Sequence, residues 1–210
     1  MSSPISPRNE RILQLGLDYA ERLLLIILFA GFAIRIFGSL GANPFNLLAL
    51  ISDGFVVFFL LIRRSAGAVS SRPLDWIVAM LGTMLPLLAR PGGEPLASAL
   101  VTALIMLFGL TVSFWAKLSL QRSFGIAAAN RGVVSTGPYR IVRHPMYAGY
   151  VVVHVGFLLA NPLLWNLALY VAAFVCQIVR IIAEERILAQ DPAYADLMTK
   201  VRRRLIPGVF

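Results

Sequence analysis

The chain has 210 residues, of which 59% are hydrophobic and only 14% charged, with a formal net charge of +9. A mean hydropathy of +0.79 excludes an ordinary water-soluble domain, because that level of apolarity goes with runs long enough to cross a bilayer. The positive balance marks loops beside a membrane and argues against a nucleic-acid partner, since Lys and Arg gather between the apolar runs and not on a polar domain.

Six apolar segments follow in chain order, and they predict an all-α, polytopic transmembrane bundle of about five to six membrane helices. The polar stretch before them lacks the pattern of a cleavable signal peptide. The first segment, 23–40, is interrupted by Arg35, and the second, 44–62, carries Asp53; these two charges are expected to pair with each other. Segments 74–88 and 96–115 come next. The fifth and sixth, 146–160 and 163–183, are joined only by Asn161-Pro162, a link that demands a tight antiparallel hairpin. The fifth is shorter than the roughly 20 residues of a full span, so it must tilt, stop short or be covered by protein. A last helix is expected from Asp191-Pro192, with proline at its first position. Its apolar stripe (Tyr194, Leu197, Met198, Val201, Leu205) beside an arginine run reads as a basic amphipathic helix on the membrane face.

Loop charges set an orientation. Arg63, Arg64 and Arg72 follow the second segment, Lys117 to Arg143 supplies five cations after the fourth, and Arg186 to Arg204 supplies five more after the sixth. The alternate loops are nearly uncharged. Both termini and the 117–143 loop are therefore expected in the cytoplasm, giving six crossings.

Chemistry concentrates in two places. In "GPYRIVRHPMYAGY", 137–150, Pro145 fits the first turn of a helix capped by His144, and Tyr147 falls three residues on, so both rings can meet one ligand. Arg143 adds a cation at that edge. In "RIIAEER", 180–186, Arg180 and Glu184 stand four apart on one helix face. Either block alone also suits a plainer role, an interfacial anchor or a surface ion pair. The hairpin, by folding helix six against helix five, is expected to bring them together as a pocket. His154, mid-segment, reads as a hydrogen-bonded core histidine. Two histidines ten residues apart and the lone Cys176 give no metal-ligand spacing and no disulfide. No glycine-rich nucleotide loop is present.

Taken together, "RGVVSTGPYRIVRHPMYAGY", the Asn-Pro hairpin, "RIIAEER" and the terminal "RLIPG" resemble isoprenylcysteine carboxyl methyltransferases and their bacterial relatives, within a wider group of membrane phospholipid and thiol methyltransferases. The likeness covers about half the chain, from Trp115 onward. It implies a cytoplasm-facing site for S-adenosylmethionine (SAM), formed by Arg131, Gly132, Val133 and Val134, by Tyr139, by His144, Pro145, Met146 and Tyr147, and by Glu184. It also implies that Arg180 meets a lipophilic acceptor, which enters from the membrane lipids. On that basis residues 1–116 form N-terminal transmembrane helices and 117–210 a methyltransferase region. Position 131 departs from the histidine of some relatives, and segments one to four transfer nothing.

The expected activity is carboxyl O-methylation of an isoprenylcysteine-like acceptor, because a carboxylate needs no general base and the cluster offers an arginine. Phospholipid N-methylation and thiol S-methylation are the alternatives with the same cofactor. An NADPH-dependent sterol-type reductase, which shares an RHPxYxG signature, is the alternative of another class, and a non-catalytic membrane scaffold is the plainest one.

Overall fold

A computed structural model describes residues 7–61, 73–120 and 133–206. Among the described residues there are seven α-helices and no strand: α1 (Pro7–Ser39), α2 (Asn46–Leu61), α3 (Pro73–Met84), α4 (Ala99–Leu120), α5 (Pro145–Ala160), α6 (Leu164–Leu188) and α7 (Pro192–Lys200). Two short 3₁₀ turns, Leu85–Leu88 and Gly137–Arg140, extend α3 and precede α5.

Three helical stretches are long and apolar enough to cross a bilayer: Arg22–Ser39, Ala99–Leu120 and Leu164–Leu188. The other apolar helices, Asn46–Phe59, Leu74–Leu88 and Pro145–Ala160, are shorter. The 16 residues of α5 rise about 24 Å, less than the roughly 30 Å of a hydrocarbon core. Large apolar side chains such as Leu23, Ile34, Phe37, Leu100, Phe108, Val171 and Val175 point outward, as they do in an integral membrane protein, where lipid takes the place of water.

The closest packing is between α4 and α5. A Cβ on Gly149 would lie 2.6 Å from the carbonyl oxygen of Gly109 and 2.6 Å from the Ser113 nitrogen, so only glycine permits this approach. Gly109 faces the same seam, and Gly156 abuts Met106. Small residues let membrane helices gain dispersion contact where burial from water gives nothing. The seam covers α5, which accounts for a short helix at membrane depth.

Two sequence expectations change here. Helix six does not fold flat against helix five: α6 packs mainly on α3, and α5 and α6 touch only sparingly. The tight link itself is present, closed by bonds from Asn161 N to Phe157 O and from Leu163 N to Asn161 O. The two helices therefore start together at Asn161-Pro162 and spread around other side chains. Arg35 does not pair with Asp53. Its guanidinium donates to the carbonyls of Leu87 and Ala89, 2.5 and 3.2 Å away. Those acceptors lie at the C-terminal end of a 3₁₀ turn, where carbonyls lack helical partners.

The linker end of the bundle is closed by amides. Asn161 donates to Asn46 and accepts from Gly92 N, while Asn166 exchanges bonds with the backbone of Arg90. Every one of these buried side chains is satisfied, which is what burial of an amide requires.

Candidate functional site

At the opposite end the two polar blocks converge. Pro145 opens α5 behind His144, as the missing proline N–H allows. The His144 and Tyr147 rings stack with centroids 5.7 Å apart and planes within 8°. The Tyr147 hydroxyl donates to Glu184 Oε1 at 2.6 Å, and Arg180 Nε donates to the same oxygen at 3.1 Å. The Arg180 guanidinium also lies 5.1 Å from the centre of the Tyr147 ring and reaches Thr83 of α3 at 3.4 Å. Arg180, Glu184 and Tyr147 thus form one unit, which the four-residue spacing on α6 and the capped start of α5 anticipated.

Glu185, one residue on, has a separate role that the sequence reading did not assign. It accepts from Arg143 Nε and Arg204 Nε, each at 2.7 Å, and lies 3.2 Å from His144 Nε2. Arg143 donates in addition to the Val201 carbonyl at 2.7 Å. The tail after α7 then runs alongside this pair: Arg143 N bonds to Arg203 O and His144 N to Arg204 O. Two arginines widely separated in sequence on one buried carboxylate make the tail part of the site. The adjacency of two glutamates was the only sequence signal, since about 100° of helical rotation puts Glu184 and Glu185 on different neighbours.

The terminal helix is capped by Asp191, whose side chain accepts from Ala193 N at 2.9 Å. Its stripe does not lie on lipid. Tyr194, Leu197 and Val201 are buried against Val133, Leu188 and Met198, so α7 is a clasp over the site. Arg202 and Arg203 remain exposed. Tyr194 and Tyr139 both keep their protons far into alkaline conditions. Burial raises each pKa first, and the nearby carboxylates add to it, Glu185 for Tyr194 and Glu184 for Tyr139.

Of the residues expected to hold a cofactor, Tyr139, His144, Pro145, Met146 and Tyr147 are buried in this region, and Val133 and Val134 border it. Glu184 keeps 15% of its side chain exposed, whereas Glu185 keeps 6%. Arg131 and Gly132 lie outside the described residues.

A small, partly open pocket lies beside the Tyr147–Arg180 contact, where α5 and α6 have spread apart. It is walled by α2, α3, α5 and α6. Met146, Tyr147 and Arg180 line it, but Glu184 does not. Asp53 of α2 lines it too. So does His154, which is no hydrogen-bonded core histidine: it stacks on Tyr170 with centroids 4.5 Å apart and has no hydrogen bond among the described residues. One polar unit therefore divides a greasy, partly polar chamber from the tail-covered knot around Glu184.

No curated protein matches the chain. Residues 97–194, from the start of α4 to the start of α7, match the family model for phospholipid methyltransferase, so this stretch of a helical membrane protein is similar to a family of methyltransferases that act on lipids.

Proposed function

We propose that the chain is a SAM-dependent integral membrane methyltransferase acting on a lipophilic acceptor, with its site at the cytoplasmic face. The observation that carries the reading is the Tyr147–Glu184–Arg180 unit, in which Arg180 lines the pocket between α2, α3, α5 and α6 and Glu184 does not. The similarity of residues 97–194 to a methyltransferase family supports it. The orientation rests on the loop cations.

The side chains around Glu184 fit such a cofactor. A carboxylate with part of its surface open stands among the aromatic faces of His144, Tyr147 and Tyr139, while its neighbour Glu185 is fully engaged. When bound, SAM supplies a methyl group made electrophilic by a positively charged sulfur. In this reading Glu184 accepts from donor groups of the cofactor, and Val133, Val134, Tyr139, His144, Pro145, Met146 and Tyr147, with Arg131 and Gly132, enclose it. Arg180 holds an anionic group of the acceptor in its planar fork. The Tyr147 hydroxyl keeps Glu184 in place, and the apolar walls exclude water, so alignment is most of the catalytic work.

Two finer readings of the acceptor stand. Carboxyl O-methylation of an isoprenylcysteine-like lipid fits the arginine at the cavity wall and needs no base. Phospholipid N-methylation fits the family model and the carboxylate of Asp53 in the same cavity.

Two variants test the division of labour. Glu184→Gln is expected to weaken SAM binding roughly 10- to 100-fold, the value of a charge-assisted contact of about 1.5–3 kcal/mol. Arg180→Lys keeps the charge but loses the fork. It should leave SAM affinity within about threefold while methyl transfer falls tenfold or more. Calorimetry and turnover on both variants decide, and equal loss of SAM affinity in the two would place Arg180 in the cofactor site instead.

A further inference from the structure

The cavity is lined by more polar chemistry than its membrane depth explains. Tyr150, one helical turn beyond Met146 and Tyr147, has a buried hydroxyl without a hydrogen-bond partner among the described residues. Asp53, His154 and Gln177 face the same space and make no hydrogen bond among the described residues. The Tyr150 hydroxyl is buried without a partner among the described residues, a cost that a polar group in the chamber would relieve. The polar layout is also asymmetric. The fixed cation, Arg180, comes from α6 beside Tyr147, whereas the carboxylate, Asp53, comes from α2.

An internal partner for Asp53 is at hand but does not take it. Lys117 of α4 is completely buried and acts electrostatically on Asp53. Its ammonium nevertheless sits 4.8 Å from the centre of the Tyr150 ring and 5.7 Å from that of Phe55, and it makes no hydrogen bond among the described residues. The carboxylate oxygens of Asp53 are left for what occupies the cavity.

Resting on the methyltransferase reading above, we propose that Asp53 is a specificity-determining residue that reads an N–H donor on the acceptor headgroup, while Arg180 holds the headgroup's anion. The substrate class is then a lipid with a two-ended headgroup, an acidic group and an ammonium or amide N–H a few bonds apart. In its ionised form the Asp53 carboxylate has only acceptor sites, and in that form it favours an N–H and repels a headgroup that is purely anionic. This criterion is independent of which atom is methylated, because an aminophospholipid and an acylated cysteine carboxylate both satisfy it. Asp53 lies outside the stretch that matches the family model.

The test uses purified full-length protein and two pairs of probes. Lysophosphatidylethanolamine is compared with lysophosphatidic acid, and N-acetyl-S-farnesylcysteine with the analogue in which CH₂ replaces the acetamido-bearing carbon. Binding of each is measured with and without S-adenosylhomocysteine. The wild type should prefer the N–H-bearing member of one pair at least tenfold, and the preferred pair identifies the source. Asp53→Asn should bring that preference below about threefold and leave S-adenosylhomocysteine affinity unchanged. Equal binding within both pairs, no binding of any probe, or a preference that survives in Asp53→Asn overturns the proposal. Should that variant not fold, Asp53→Glu, which keeps the carboxylate, and Asp53→Ser, which removes it, replace it: the preference should survive in the first and vanish in the second, and the reverse overturns the proposal. Failure of S-adenosylhomocysteine to bind the wild type would instead sink the methyltransferase reading.

Discussion

Gly149→Leu is expected to take the α4–α5 pair apart and with it the folded state. The obstruction is backbone, not the end of a flexible side chain: the first added carbon meets Gly109 O and Ser113 N at 2.6 Å. Relief requires the helices to separate, and in lipid close packing is a main source of helix association. Overpacking a tight seam costs about 1–3 kcal/mol for small additions and more when the backbone must move. A loss of at least about 3 kcal/mol, or roughly 6–12 °C in Tm for a chain of this size, is the expected result. Gly38→Leu is the control, since a Cβ there meets nothing within 4 Å. Equal melting of the two variants in detergent would mean that the seam does not hold the bundle.

Glu185→Gln should be the most damaging change at the site itself. The carboxylate takes Arg143, which is buried, and Arg204, which is about a third exposed, with His144 beside them. Neutralising it leaves the Arg143 guanidinium without its counter-charge, and breaking a buried pair costs about 3–5 kcal/mol. The Arg204 arm contributes less because solvent screens it. The tail 201–206 is expected to loosen, since Arg204 loses this carboxylate and the bonds from Arg143 N, His144 N and Arg143 Nη1 to the tail depend on Arg143 staying in place. Trypsin cleavage after the exposed Arg202 and Arg203 should then speed up tenfold or more, with S-adenosylhomocysteine no longer protecting them. Unchanged cleavage would show that the tail is held by the α7 stripe alone.

What the sequence disclosed was mostly local. Pro145 and Asp191 announced their helix starts, Asn161-Pro162 its turn, and the 180/184 spacing its shared face, because each depends on geometry within a few residues. The pairing of helices was not legible. Gly109, Gly149 and Gly156 look alike in sequence whether they meet another helix or lipid, so nothing marked α4 as the neighbour of α5. Arg35 and Asp53 suggested each other as opposite charges at membrane depth. The carbonyls that receive Arg35 exist only because a 3₁₀ turn ends there. Glu185 was hidden for a related reason: its partners come from positions 143 and 204 and are brought together by the clasp of α7. Placing Arg180 and Glu184 beside His144 and Tyr147 succeeded although helices five and six spread apart, because they converge again through side chains at that one end.

Whether the polar knot around Glu184 grips SAM can be read from a single thermal-stability measurement. Purified protein is melted in detergent with S-adenosylhomocysteine or with NADPH, across a range of concentrations. A ligand that binds only the folded state stabilises it by RT ln(1+[L]/Kd), about 2.7 kcal/mol at a hundredfold excess over Kd. S-adenosylhomocysteine should raise Tm by roughly 5–10 °C at that excess, Glu184→Gln should shift the response to higher concentration, and NADPH should have no effect. Stabilisation by NADPH without stabilisation by S-adenosylhomocysteine would contradict this and point to a reductase.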